Sequence, residues 1–305
     1  MAKERSILFV CTGNVFRSVA AEYSLKKYLE LKGVSDWTVS SAGTDAHPIE
    51  LDSSVVKALA EFGADVSNHT PRRLTRDILD AHDIVIGMAE DHLAFMKAEF
   101  GYRQALLFND LAIGELTSVR DVPDEVPDYL TNHGAMEEVV LRTVRDIHAK
   151  VPGLFRSAEE RYYLFSDFVT GKRHHRNGYP FIALHETPHS VAFMSIDIPY
   201  KEDGHILVIP KTRYVDLADV PGEVLADIFD AVKRIGDAVV ADHGGYNLLL
   251  NNGRDAGQYM MHAHFHIIPR RLGDDIRIEG WEHPAIKKED FVQMNERLKQ
   301  RIAAG

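Results

Sequence analysis

The sequence predicts two domains in series: an α/β domain built on a parallel sheet over residues 1–152, and an α+β domain with an antiparallel sheet over residues 153–305. Three observations carry the prediction. The 305 residues exceed the roughly 100–200 that one ordinary core accommodates. Apolar strand-like runs alternate with helical patterns as far as about residue 150, as strands joined by crossover helices must. From about residue 155, strand-like runs follow one another and one long amphipathic helix interrupts them.

The elements follow in order. Residues 6–10 are a short apolar run ending before a Gly-Asn turn, and the pattern AAEYSLKKYLELKG then reads as a helix with its glycine stop. WTVSSAG is a strand, SSVVKALAEFG a helix, HDIVIGM a strand, EDHLAFMKAEFG a helix and QALLF a strand. GAMEEVVLRTVRDIHAK closes the first half, and Val151-Pro152-Gly153 reads as the break between domains. Beyond it FIALHE, SVAFMSID and HILVIP read as strands and EVLADIFDAVKRIGDAVVADHG as a helix. YNLLLN and HAHFHIIP are two more strands, and a polar helix occupies residues 289–303.

Composition narrows the function. Apolar residues make up 45% and charged residues 27%, which is ordinary globular protein. A formal charge of −11 repels a nucleic acid over most of the surface, so a phosphate-bearing ligand has to be captured locally. No apolar run reaches the 18 or so residues of a membrane span, and the first residues lack a signal-peptide core. The expectation is a soluble cytoplasmic protein with neither nucleic acid nor membrane as partner. One cysteine, Cys11, excludes an internal disulfide and a Cys-x-x-Cys zinc site, and no cofactor or metal is expected.

That cysteine ends the first strand in the segment CTGNVFRS, with Arg17 six positions later where a helix begins. In an open parallel sheet, ligands bind at this end of the strands. A loop running into a helix N-terminus aims several N–H groups at one point, and the helix dipole adds positive potential. A phosphate fits such a cradle, and the same field favours a nucleophilic thiolate. Arg17 supplies a bidentate fork for two phosphate oxygens, and Ser18 can donate to the sulfur. Gly13 and Asn14 supply the turn.

These residues resemble the low-molecular-weight protein tyrosine phosphatases over about 1–150. ILFVCTGNVFRS, SSAGT at 40–44, DVSNHTPRRLT at 65–75 and HDIVIGM at 82–88 appear in the family's order. The resemblance implies a flavodoxin-like strand order and a phosphocysteine at Cys11, with phosphate held by Arg17. Asn14, Ser18, Ser41 and His69 would form the network that supports the loop. The family's general acid lies in an acid-x-Pro-Asp-Pro stretch. Here 121–129 reads DVPDEVPDY, so both Asp124 and Asp128 are candidates, Asp124 being better spaced, while Tyr129 could supply the aromatic wall. Phe16 replaces a frequent second loop cysteine, and the apolar Val15 leans toward phosphotyrosine rather than phosphoarginine.

The second signal is HAHFHIIPRR, with His262, His264 and His266 at alternate positions, which places all three on one face of a strand. Neighbours at this spacing lie about 6.6 Å apart, so the outer two cannot share one zinc at about 2.1 Å. A nucleophilic His264 flanked by histidines that orient it and neutralise phosphate fits better. His174 and His175, in a Lys/Arg-flanked loop, read as solvated.

This pattern resembles the histidine triad superfamily over about 155–275, nearest its nucleotide hydrolase and transferase branches. SVAFMSIDIP, GHILVIPKTRYVDLADV and NLLLNNGRDAGQYMMHAHFHIIPRR carry the match. The resemblance implies that His264 attacks the α-phosphate of a nucleotide to give a nucleotidyl-histidine. His262, His266 and His205 would surround that phosphate, Asn251 and Gln258 would hydrogen-bond it, and Asp197 would hold the ribose. It also implies a homodimer through this domain. The cysteines that bind structural zinc in many bacterial members are absent from YYLFSDFVTGKRHHRNG.

The sequence therefore reads as a bifunctional phosphorus-transfer enzyme acting on a phosphoprotein or small phosphomonoester and on an adenosine nucleotide or its conjugate. The alternative is a nucleotide-sensing regulator whose second half binds adenosine nucleotides and tunes the phosphatase or a partner.

Overall fold

The structure, a computed structural model, describes residues 5–197, 204–278 and 287–304. The N-terminal half runs β1 (Arg5–Cys11), α1 (Arg17–Lys32), β2 (Trp37–Gly43), α2 (Ser53–Ala60), α3 (Arg76–Asp80), β3 (Ile84–Gly87), α4 (Glu90–Phe100), β4 (Leu106–Leu107), α5 (Phe108–Ile113), α6 (Val122–Glu125) and α7 (His133–Val169). Its four strands are parallel in the order β2-β1-β3-β4, the expected flavodoxin-like order. Strand alternation sends Ile7, Phe9 and Cys11 to one face, against α1, α2, α5 and α7, and Leu8 and Val10 to the other, against α3 and α4. QALLF shortens to the two residues of β4 because Phe108 already starts α5.

Pro152 is not a break. Helix α7 runs 37 residues through it, although proline removes one helical hydrogen bond. Packing on both sides of the proline overrides that local cost, since Val144, Ile147, Val151, Leu154 and Phe155 are all buried in one cluster. Gly153 is needed there, because a Cβ on it would stand 2.6 Å from the Ala112 carbonyl oxygen of α5.

After α7 come β5 (His175–Arg176), β6 (Tyr179–Pro180), β7 (Ala183–Glu186), β8 (Ser190–Met194), β9 (Ile206–Pro210), α8 (Gly222–Val240), β10 (Gly245–Leu250), β11 (Phe265–Arg270) and α9 (Lys288–Ala304). Five strands form an antiparallel sheet in the order β10-β11-β9-β8-β7, and β5 with β6 forms a separate hairpin. One face of the sheet packs on α8 through Ala192, Val208, Phe265 and Ile267. The other face packs through Val191, Phe193, Leu207 and Ile209 on Leu164 and Phe165, which belong to the last turns of α7. One helix thus covers the first sheet with its N-terminal part and the second with its C-terminal part. Val215 and Met261, from the second half, enter the same apolar cluster as Ile7 and Phe9.

Candidate functional sites

Helix α1 starts without a side-chain cap and without an acidic residue in its first turn, so its N-terminal N–H groups stay open to an anion. The loop before it is held by Asn14, whose φ of 55° is left-handed and whose side chain is fully buried. Its Nδ2 donates to Ser18 Oγ at 3.1 Å and to Ser41 Oγ at 2.6 Å, and its Oδ1 accepts from the Arg72 amide at 3.0 Å. His69 Nε2 donates to its carbonyl at 2.9 Å. Because Ser18 Oγ accepts from Asn14, its own proton is free for Cys11 Sγ, 3.0 Å away, and the Asn14 amide adds a second donor at 3.3 Å. Two donors thus converge on one sulfur. Gly13 lies in the same loop, and Gly43 presses against it. A Cβ at Gly43 would sit 2.4 Å from the Thr12 carbonyl oxygen.

Arg17 is buried, with Nη1 on the Val119 carbonyl at 3.1 Å and Nη2 on Asp121 Oδ2 at 2.5 Å. Asp121 Oδ1 also accepts from the Val122 amide, and Asp124 Oδ2 caps the Asp121 amide at 2.9 Å. Asp124 thus stands one hydrogen bond from the residue that touches Arg17. Asp128 is engaged elsewhere, with Asn132 at the start of α7, and Tyr129 packs partly on the core. Behind the loop, burial and the nearby Arg17 push His92 down to about 4. Its Nδ1 accepts from the Ala89 amide at 2.9 Å, so the neutral ring donates from Nε2 to Thr12 Oγ1 at 3.1 Å.

Sequence reasoning missed four members of this site: Asp121, Glu22, Arg72 and His92. Glu22 had a local signal, lying one helical turn after Ser18 on the buried face of α1. It accepts from Ser41 at 2.5 Å and pairs with Lys26. The others meet the loop only through tertiary folding.

The second site is a cavity of about 500 Å³ between the end of α7, the β5–β6 hairpin and the sheet. His264, His266, His205, Asn251 and Asp197 line it. His264 Nδ1 donates to the His262 carbonyl at 2.7 Å, so a neutral His264 presents a bare Nε2 lone pair. Burial pushes the His264 ring below its ordinary value, which keeps that lone pair available. His205 Nδ1 donates to the Asp197 carbonyl at 2.6 Å. With one proton on each ring, His205 Nε2 accepts from His266 Nδ1 at 2.8 Å. Burial holds His266 down to about 3.

Three expectations change. Strand β11 begins at Phe265, so His262 and His264 precede it: the Ala263 amide bonds the Tyr214 carbonyl, outside the β11 ladder. The His262 ring does not reach the cavity. It is buried, donates from Nε2 to the Pro210 carbonyl at 2.8 Å and is pushed down to about 3 by burial; its carbonyl orients His264 instead. Gln258 is also turned away from the ligand space, because its Nε2 donates to the Val215 and Met260 carbonyls and its Oε1 accepts from the Gly253 amide. Phe165, which sequence reasoning missed, sets its ring edge against both His262 and His264 at 5.8 Å.

Among the described residues no cluster of three or more His, Cys, Asp or Glu could hold a metal ion, and no helix is long and apolar enough to cross a membrane.

Residues 6–161 match the family model described as low molecular weight phosphotyrosine protein phosphatase, and residues 179–273 match the HIT domain model. The adenosine 5'-monophosphoramidase HNT1 of Saccharomyces cerevisiae is 40% identical over 124 residues, which is 41% of this chain and 74% of the yeast protein. The low molecular weight protein tyrosine phosphatase structure from T. tengcongensis is 27% identical, covers 50% of this chain and 98% of that one, and has a TM-score of 0.43. The histidine triad nucleotide-binding protein structure from Candida albicans is 29% identical, covers 46% of this chain and 97% of that one, and has a TM-score of 0.40.

Proposed function

Since the chain belongs to the low molecular weight phosphotyrosine protein phosphatase family through residues 6–161 and carries a HIT domain at 179–273, we propose that it is a bifunctional phosphorus-transfer enzyme with one covalent site in each half. The two families support a phosphatase and a nucleotide hydrolase, and the finer chemistry follows from the residues. The phosphatase machinery lies within residues 1–152 and the nucleotide machinery within 153–305, with α7 shared.

In the first half, the Cys11 thiolate attacks phosphorus of a phosphomonoester, phosphotyrosine being the substrate that the apolar Val15 favours. Phosphate enters the loop of Gly13 and Asn14 and displaces Asp121 from Arg17, whose fork then grips two oxygens. Asp124 protonates the leaving phenolate and later activates water against the phosphocysteine. Ser18 stabilises the sulfur as it leaves, and Ser41 and His69 keep the loop in shape.

In the second half, His264 Nε2 attacks the α-phosphorus of a nucleoside 5′-phosphate conjugate, expels its amine or phosphate, and passes the nucleotidyl group to water. His266, His205 and Asn251 face that phosphate, Asp197 faces the ribose, and the apolar wall of Phe165 and Phe193 takes the base. Adenosine phosphoramidates are the first substrates to try, given the yeast relative's name.

The observation that carries this reading is the free valence at each nucleophile: Cys11 Sγ receives two donors, and His264 Nδ1 is tied to a carbonyl so that Nε2 is bare. The test is hydrolysis of a phosphotyrosine peptide and of an adenosine 5′-phosphoramidate by wild type, Cys11→Ser and His264→Ala. Each variant should lose one activity by about 10³-fold or more and keep the other. Wild-type rates no higher than the variants' would favour the nucleotide-sensing alternative.

A further inference from the structure

We infer that Arg176 reads the base of the nucleotide and selects a 6-oxopurine, guanine or hypoxanthine, by donating to its acceptor edge. The inference rests on the second half binding nucleotides and extends that reading to specificity.

Arg176 lines the same cavity as His264. It ends β5, and the turn to Tyr179 consists of Asn177 and Gly178 with φ of 50° and 84°. Two central residues with positive φ make the tight hairpin connection that asparagine and glycine favour, so Arg176 is presented on a stiff backbone. An ion pair with Glu160, one turn before Leu164 on α7, fixes one end of the guanidinium. Its Nε is buried and bonds nothing among the described residues. A buried donor without an acceptor is costly, and the residue that carries it lines the cavity.

The surroundings name the ligand atoms. Phe181 also lines the cavity, stacked on Phe168 at 4.5 Å and set edge-on to Phe193. Tyr179 stands at the rim, 64% exposed. Flat apolar walls suit an aromatic base, whereas the phosphate end is furnished by the histidines and Asn251. A guanidinium can only donate. The O6 and N7 atoms of a 6-oxopurine are adjacent acceptors that match it, whereas adenine sets a donating amino group beside N7.

The test compares guanosine, inosine, adenosine and cytidine 5′-phosphoramidates as substrates of the full chain, and the dissociation constants of the four nucleoside monophosphates, in wild type, Arg176→Met and Arg176→Gln. Wild type should favour guanosine and inosine over adenosine by roughly fivefold or more in kcat/KM and in affinity. Both variants should bring that ratio near one. Each ratio is taken within one protein, so a general loss of folding or activity cancels. The affinities decide even if no conjugate is hydrolysed, an outcome that would remove the catalytic proposal and leave this one standing. A wild-type ratio at or below one, a ratio unchanged by both substitutions, or inosine behaving as adenosine would overturn the inference.

Discussion

At Asn14 a left-handed backbone coincides with an amide whose two ends are committed to Ser18, Ser41 and the Arg72 amide. The cysteine and arginine were legible in the sequence because six residues of loop bring them together whatever else the chain does. Asp121 was not, since only folding places residue 121 against residue 17. The choice of general acid belongs to the same scale. Sequence spacing left Asp124 and Asp128 open, and Asp124 is the one bonded to the turn that contacts Arg17. Asp124→Asn is expected to lower kcat on a phosphotyrosine peptide by about 10²-fold, with Asp128→Asn within about threefold of wild type. Steady-state kinetics checks this, and the reverse order would assign the acid to Asp128. At the histidine site, alternate spacing put all three rings on one strand face; His264 and His266 do line the cavity, whereas His262 contributes its carbonyl rather than its ring.

Among the elements, β2 matters to catalysis without supplying a nucleophile. Its last residue, Gly43, pairs with Cys11 and admits the Thr12 carbonyl where a side chain would stand. Gly43→Ala is expected to destabilise the protein by about 1–3 kcal/mol and to lower phosphatase kcat/KM by at least about tenfold, because the loop has to shift. Denaturant unfolding and kinetics together check it, and an active, fully stable Gly43→Ala protein would contradict the close packing. Helix α7 shows the limit of local reading. Proline followed by glycine is ordinarily a stop, yet here the glycine serves helix-to-helix contact and the proline is carried by the core on either side. The main strand and helix alternation of the first half was legible, because burial of a parallel sheet on two faces dictates it, whereas the short helices α3, α5 and α6 were not.

Across the whole molecule the two halves are fastened by charge as well as by α7. Arg5 pairs with Asp167 at 2.6 Å and lies over the Tyr163 ring, and Arg161 pairs with Asp110 at 2.9 Å while donating to the Tyr259 carbonyl. The Arg161 carbonyl in turn accepts from the Met261 amide, next to His262. Arg161→Met leaves Asp110 without this buried partner and is expected to cost about 3 kcal/mol, read as a lower Tm for both activities together. Loss of one activity at an unchanged Tm would show the halves to be independent. Acid should act on the molecule as a unit. His92, His262 and His266 are held neutral in the fold, at about 4, 3 and 3, but protonate near 6.5 once unfolded. Below pH 6.5 the unfolded chain therefore binds more protons, so stability falls with pH until the folded-state values are passed near pH 3. Urea unfolding at pH 7.5 and pH 5 should differ by on the order of a few kcal/mol, less stable at pH 5, and equal stability would contradict the buried neutral rings.

The most direct measurement is quenching with denaturant at mildly alkaline pH within milliseconds of mixing with each substrate, which preserves P–N and P–S bonds, followed by peptide mass spectrometry. A phosphoryl group on the Cys11 peptide after phosphotyrosine, and a nucleotidyl group on the His264 peptide after the phosphoramidate, are the predicted results. Turnover with both peptides unmodified at every quench time would contradict the account.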